Sequence, residues 1–156
     1  MPLLDYCSEA YCPLVKSRQS VALESPLRTF TSEVFQKCGV HYNSYRHRLD
    51  QLNIHPVYLR IIHSDLVMCY KIMNGLTYFP NSNYLVKSRS PRDPYRLINI
   101  CNQFSDKNSY FARIAMLWNK ISFDIPNLSS LDSFKQHLSY HSRSRTFVNE
   151  IPLSLQ

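Results

Sequence analysis

Four cations stand close together in a stretch almost free of acids. Lys87, Arg89, Arg92 and Arg96 lie among Pro80, Pro91 and Pro94, and no acidic residue occurs between Asp65 and Asp93. Ammonium and guanidinium groups carried on an exposed connection can meet successive phosphates and release their counterions. Arg46 and Arg48, beside Tyr45 and His47, form a second basic group, in which the two arginines are the binding candidates because Tyr45 fits an apolar seam. The whole chain agrees: eighteen Lys and Arg against eleven Asp and Glu leave a net charge of +7, which favours a polyanionic partner. RNA or single-stranded DNA, held weakly and without sequence preference, is the partner expected.

Other chemistries find less support. Metal-dependent phosphoryl or nucleotidyl transfer needs carboxylates that hold two ions about 3.5–4 Å apart, yet no two acidic residues are adjacent in this chain. His137 and His141 have the spacing of paired zinc ligands on a helix, but no Glu follows His137 and no Cys pair lies nearby, so they read as surface histidines. The five cysteines, at 7, 12, 38, 69 and 101, are odd in number and lack CxxC spacing, which argues against a disulfide framework or a zinc site. Two glycines leave no loop that could cradle a phosphate. No catalytic residue, metal or cofactor is expected.

The elements that would carry the cations are mainly helical. Leu59, Ile62, Leu66, Cys69 and Met73 recur at spacings of three and four, and Ile61, Met68 and Ile72 form a second stripe beside them. This predicts a central helix over about 56–74, with Pro56 at its start, Gly75 as a left-handed cap, and only Arg60, Ser64, Val67, Lys71 and Asn74 facing water. Asp65 interrupts the second stripe; it either pairs with a basic residue, Arg48 first among them, or marks a stripe that is not fully buried. Before it, Val15 to Glu24 and Pro26 to Lys37 read as two short helices, the second with Phe30, Val34 and Leu27 on its inner face. Tyr42 to Leu52 reads as another, capped by Asn43 or Ser44. After Gly75, residues 77–96 read as an exposed basic connection, and Tyr95 to Cys101 as the one credible strand. Phe111, Ile114, Ala115, Trp118 and Ile121 share a helical face, so Trp118 is assigned to the core rather than to stacking on a base. A last helix starts at Ser129 or Ser130, with Leu131, Phe134 and Leu138 inside.

Five blocks of this pattern resemble the region from the end of the thumb onward in reverse transcriptases of non-LTR (LINE-type, jockey-like) retrotransposons. Asp65-Leu66 followed by Tyr70-Lys71-Ile72-Met73-Asn74-Gly75-Leu76 is similar to that family's "D-L … Y-K-I-x-N-G-L". Pro2, Leu4, Asp5, Tyr6, Ser8, Tyr11 and Pro13 match "P-x-L-E-Y-x-S-x-x-W-x-P", with Asp for Glu and Tyr for Trp. Tyr45, Arg48, Leu49 and Leu52 match "Y-x-x-R-L-x-x-L"; Tyr110-Phe111-Ala112-Arg113 with Leu117-Trp118-Asn119 matches "F-F-x-x-R-x-x-x-L-W-N"; and Ser130 to Lys135 matches "S-L-x-x-F-K". Phe30-Thr31 fits the family's "R-F-T" but lacks most of its basic neighbours, and the usual Arg-Gly-His near the strand is not present. The resemblance implies a helical piece that guides template and primer, with the catalytic palm outside this chain.

The expectation is therefore one helical domain over residues 1–141 and a disordered tail over 142–156. Its function would be non-catalytic, a fragment of an RNA-directed DNA polymerase. The alternative is a helical protein-interaction module without a nucleic-acid role, in which a protein covers the exposed apolar N-terminal surface left by the missing polymerase, or fills a dedicated groove. Asp5 and Glu9 replace a basic leader and no run approaches about 20 apolar residues, so no membrane partner is expected and an intracellular location, nuclear or cytoplasmic, is read.

Overall fold

A computed structural model describes residues 18–78, 85–98, 110–121 and 130–143. Among the described residues the fold is mainly α: helices α1 (Arg18–Lys37), α2 (Tyr45–Gln51), α3 (Val57–Met73), α4 (Tyr110–Ile121) and α5 (Leu131–Arg143), with a hairpin of β1 (Val86–Lys87) and β2 (Leu97–Ile98) between α3 and α4. The strands are antiparallel, Val86 opposite Ile98 and Lys87 opposite Leu97.

α3 is the spine. Val57 and Ile61 meet Leu27 of α1 and Leu49 of α2 in one apolar cluster, while Leu59, Ile62, Leu66, Cys69 and Tyr70 meet α4, α5 and the hairpin in a larger one. Serving two clusters leaves little of α3 for water: Arg60, Ser64, Val67 and Lys71, expected on a solvent face, are all half-buried. Each fully buried aliphatic side chain contributes about 1.5–3 kcal/mol. In the larger cluster the Tyr70 ring stacks on Phe134 with centroids 4.4 Å apart, and Trp118 lies against the same phenyl ring at 6.1 Å.

Three helices end in one way. Gly39 and Gly75 take left-handed backbone, as does Asn53, and each sits just past a helix. At α3 the Gly75 N–H reaches Ile72 O and the Leu76 N–H reaches Lys71 O, the paired bonds of a Schellman ending that satisfy the last carbonyls. Asn53 does this at α2 through the Ile54 N–H to Leu49 O. Starts are also capped. Ser44 Oγ accepts from the His47 N–H at the head of α2, and Ser130 Oγ accepts from the Ser133 N–H at the head of α5.

Several expectations need correction. The two short helices are one helix, α1, which runs through Pro26. An interior proline costs about 3 kcal/mol; burial of Glu24, Leu27, Thr31 and Phe35 on the inner side holds the helix together regardless. That seam replaces the expected one, for Phe30 is 51% exposed. The basic connection is not wholly irregular, because β1 arises within it and pairs with β2; of the predicted strand, residues 99–101 lie outside the described residues. Ser142 and Arg143 belong to α5 rather than to a tail. The blocks at residues 2–13 and the caps at Asn108 or Ser109 also lie outside the described residues, as does the tail from 144.

Candidate nucleic-acid interface

The hairpin owes its position to α4. The Trp118 Nε1–H donates to Tyr95 O at 2.8 Å, and the Asn119 side chain grips Leu97 on both sides, its Oδ1 accepting from the Leu97 N–H at 2.7 Å and its Nδ2 donating to Leu97 O at 2.9 Å. An amide side chain thus stands where a third strand would be, satisfying the edge of β2 that β1 leaves open. Leu85 and Leu97 plug the hairpin into the larger cluster. Inside the loop the Ser88 N–H donates to Arg96 O, the Arg96 N–H to Asp93 O and the Ser90 N–H to Ser88 Oγ.

All four cations of the first group ride on this hairpin and are exposed: Lys87 on β1, Arg89 and Arg92 in the loop, Arg96 at the foot of β2. None forms an ion pair with another described residue. The Lys87 ammonium lies 5.7 Å from the centre of the half-buried Tyr95 ring, a contact that orients the group while leaving its charge in water. Asp93, the acid of this stretch, is buried and partnered within the fold.

The second basic group separates. Arg46 is exposed on α2. Arg48 is only 8% exposed and serves structure: its Nε donates to Thr31 Oγ1, its guanidinium donates to Arg28 O, and its plane lies over Tyr42 at 4.4 Å and Tyr45 at 5.5 Å. Arg48 is therefore withdrawn from the accessible cations; it ties α2 to α1 instead. α2 packs on α1 and the hairpin on α4, so the two groups belong to different clusters.

Asp65 is paired, though not with Arg48. It is fully buried and receives a bidentate bond from Arg113 of α4, Nε to Oδ2 at 2.7 Å and the second nitrogen to Oδ1 at 3.2 Å. Tyr110 adds a hydroxyl bond to the Asp65 carbonyl. Glu24, unmarked by the sequence pattern, closes the other cluster. Its carboxylate accepts from the Val57 N–H at 3.0 Å and from the Tyr45 hydroxyl, capping α3, whose N-cap residue Pro56 offers no side-chain cap. Burial and then the Glu24 carboxylate push the Tyr45 phenol well above its usual range, and burial raises Tyr58 as well. Burial likewise pushes up the Cys69 thiol, which leaves that cysteine unreactive. Burial lowers His63. Among the described residues no three His, Cys, Asp or Glu side chains converge as metal ligands would, and no helix is long and apolar enough to cross a membrane.

A protein of Caenorhabditis elegans described as uncharacterized is 34% identical over 94 residues, which are 60% of this chain and 47% of that protein. The chain spans about half the length of this curated relative. No protein-family model matches the chain, and no solved structure matches it.

Proposed function

We propose that this chain is a non-catalytic nucleic-acid-binding module that contacts the phosphates of single-stranded RNA or DNA through the 85–98 hairpin, and that it originates in the post-palm region of a LINE-type reverse transcriptase. One observation carries the binding role: four exposed cations sit on a hairpin whose backbone is fixed by Trp118 and Asn119, so binding does not require ordering a loose loop first. The contacts between blocks support the proposed origin. Asp65 and Arg113, from two of the matching blocks, form the buried pair; Tyr70, from the same block as Asp65, stacks on Phe134 of a third; Trp118 and Asn119, from the block of Arg113, hold the hairpin.

Phosphate contacts by all four cations make log affinity fall with log salt at a slope of about −0.7 each, roughly −3 in total. Replacing Lys87, Arg89, Arg92 and Arg96 together with Gln should remove most of that slope and leave the helical circular-dichroism signal unchanged. An unchanged slope moves the contact elsewhere, with Arg46 next. No binding by the parent chain at low salt refutes the role. Nucleotide incorporation by the pure chain would refute the non-catalytic reading, and a coding sequence upstream of Met1 without a palm-like frame would count against the origin.

A further inference from the structure

We infer that Val86 and Ile98 pack against the bases of a single strand while the neighbouring cations hold its phosphates, a deepening that rests on the binding role proposed above. The two residues are directly opposed in the hairpin and are 39% and 46% exposed. Side chains alternate between the faces of a strand, so Val86 and Ile98 stand on the face opposite to Lys87 and Leu97, of which Leu97 is sunk in the core. Directly opposed pairs have Cβ atoms about 4.5–5.5 Å apart, and the two branched side chains therefore form one apolar surface that a planar base can cover. Strand propensity does not require it, since Thr would serve a water-facing pair as well.

Charge around this surface identifies what covers it. The Ser88 N–H to Arg96 O bond carries the ladder one step past Lys87 and Leu97, which returns Ser88 and Arg96 to the face of Val86 and Ile98. An exposed guanidinium thus stands two residues from the apolar pair, about 7 Å along the strand and within the span of one nucleotide. Arg89 and Arg92 are exposed in the loop beyond, and Asp93, the acid within residues 85–98, is buried. A partner must therefore be anionic and bring flat, weakly polar surface at short intervals. A single strand has both, with a phosphate and an accessible base face in every nucleotide, whereas a duplex keeps its base faces stacked.

Fluorescence anisotropy of the full chain with three probes tests this: a short oligo-dT, an abasic strand of the same length, which keeps the phosphates and lacks the bases, and a blunt duplex. The wild type should bind oligo-dT about fivefold or more tighter than the abasic strand, the low end of what one stacked base contributes, with the same salt slope on both. Val86→Ser with Ile98→Ser should bring the oligo-dT affinity down to that of the abasic strand and leave the slope, the abasic affinity and the duplex affinity unchanged. Ile98→Tyr should tighten oligo-dT and not the abasic strand. Equal wild-type affinity for oligo-dT and the abasic strand, at an undiminished slope, overturns the base contact and leaves the phosphate contacts standing; no salt-dependent binding to any probe overturns both. A folded double variant that keeps the preference for oligo-dT, or that loses duplex affinity in equal measure, also overturns the base contact. Should the double variant fail to fold, the wild-type comparison of oligo-dT with the abasic strand decides.

Discussion

Removing Asp65 should be among the most damaging single changes in this protein. Its carboxylate is fully buried, and so almost entirely is the Arg113 guanidinium that it neutralises, at 2.7 and 3.2 Å. Asp65→Ala removes from the buried Arg113 guanidinium the carboxylate that bonds it at the junction of α3 and α4. Breaking a buried pair from one side costs about 3–5 kcal/mol, a large share of the roughly 5–15 kcal/mol that holds a domain together. At about 2–4 °C per kcal/mol for a chain of this size, the midpoint should drop by roughly 6–20 °C. Arg113→Met alone should cost a similar amount, for the Asp65 carboxylate is as deeply buried and loses its bidentate cation. The double change Asp65→Leu with Arg113→Met should recover most of the loss, because an apolar pair of similar volume removes both desolvation penalties. Recovery should remain incomplete to the extent that Tyr110 and other groups also bond to this pair. Urea unfolding of the wild type, both single variants and the double variant closes the cycle. Single losses under about 1 kcal/mol, or losses that simply add in the double variant, would refute the claim that this pair joins α3 to α4.

Trp118→Ala should cost about 3–5 kcal/mol, since the ring is 1% exposed, and, because its Nε1–H holds Tyr95 O, should also weaken nucleic-acid binding by still-folded protein through a looser hairpin; an unaltered urea curve with weaker binding would instead place Trp118 at the interface. Tyr45 titrates higher in the fold than its usual 10.0, so the stability it adds is complete below pH 10 and declines above it as the unfolded phenol ionises first. Tyr45→Phe should flatten the stability profile between about pH 9 and 11, and a parallel profile would refute this. His63 titrates lower than its usual 6.5 because burial, helped by the charges of His55 and Lys135, disfavours its cation. The stability it adds is thus present above pH 6.5 and declines below it as the unfolded imidazole takes up a proton first. Stability of wild type minus His63→Gln should fall from pH 7 to 5; a flat difference would show that His63 is not shielded.

What the sequence made legible was local. The stripes of α3, its Gly75 ending and the Ser44 and Ser130 caps are short-range features, written within one or two helical turns, and the structure has them. Errors came where distant residues decide. Pro26 predicts a break by its own chemistry, but the continuous seam of Leu27, Thr31 and Phe35 overrides one lost hydrogen bond. Asp65 announces that it needs a cation and Arg48 is the nearer one in the pattern, yet the partner is Arg113, 48 residues away. Arg48 itself sits in a run, Tyr45 to Arg48, that looks solvated; nothing in its neighbours indicates that Tyr42 and Thr31 will enclose it. Glu24 gave no signal because its role exists only once Pro56 has been brought beside α1. The hairpin cations were found as a group from charge and proline content, whereas their common platform depends on Asn119, a residue visible only as part of a motif.

Asn119 explains why a hairpin with two-residue strands can serve as a rigid platform at all. Two strands of that length supply few ladder bonds and are marginal alone. Three further bonds from α4, two by Asn119 and one by Trp118, fall on consecutive segments of the chain around Tyr95 and Leu97, and Leu85 and Leu97 are sunk in the core that Trp118 helps to form. The residues that hold the hairpin are therefore apolar or neutral and face inward, while the residues that would meet phosphate are charged and face outward. Neither set does the other's work. Affinity can thus be changed through Lys87, Arg89, Arg92 and Arg96 without loss of the fold, and the fold can be loosened at Asn119 without removing a single cation.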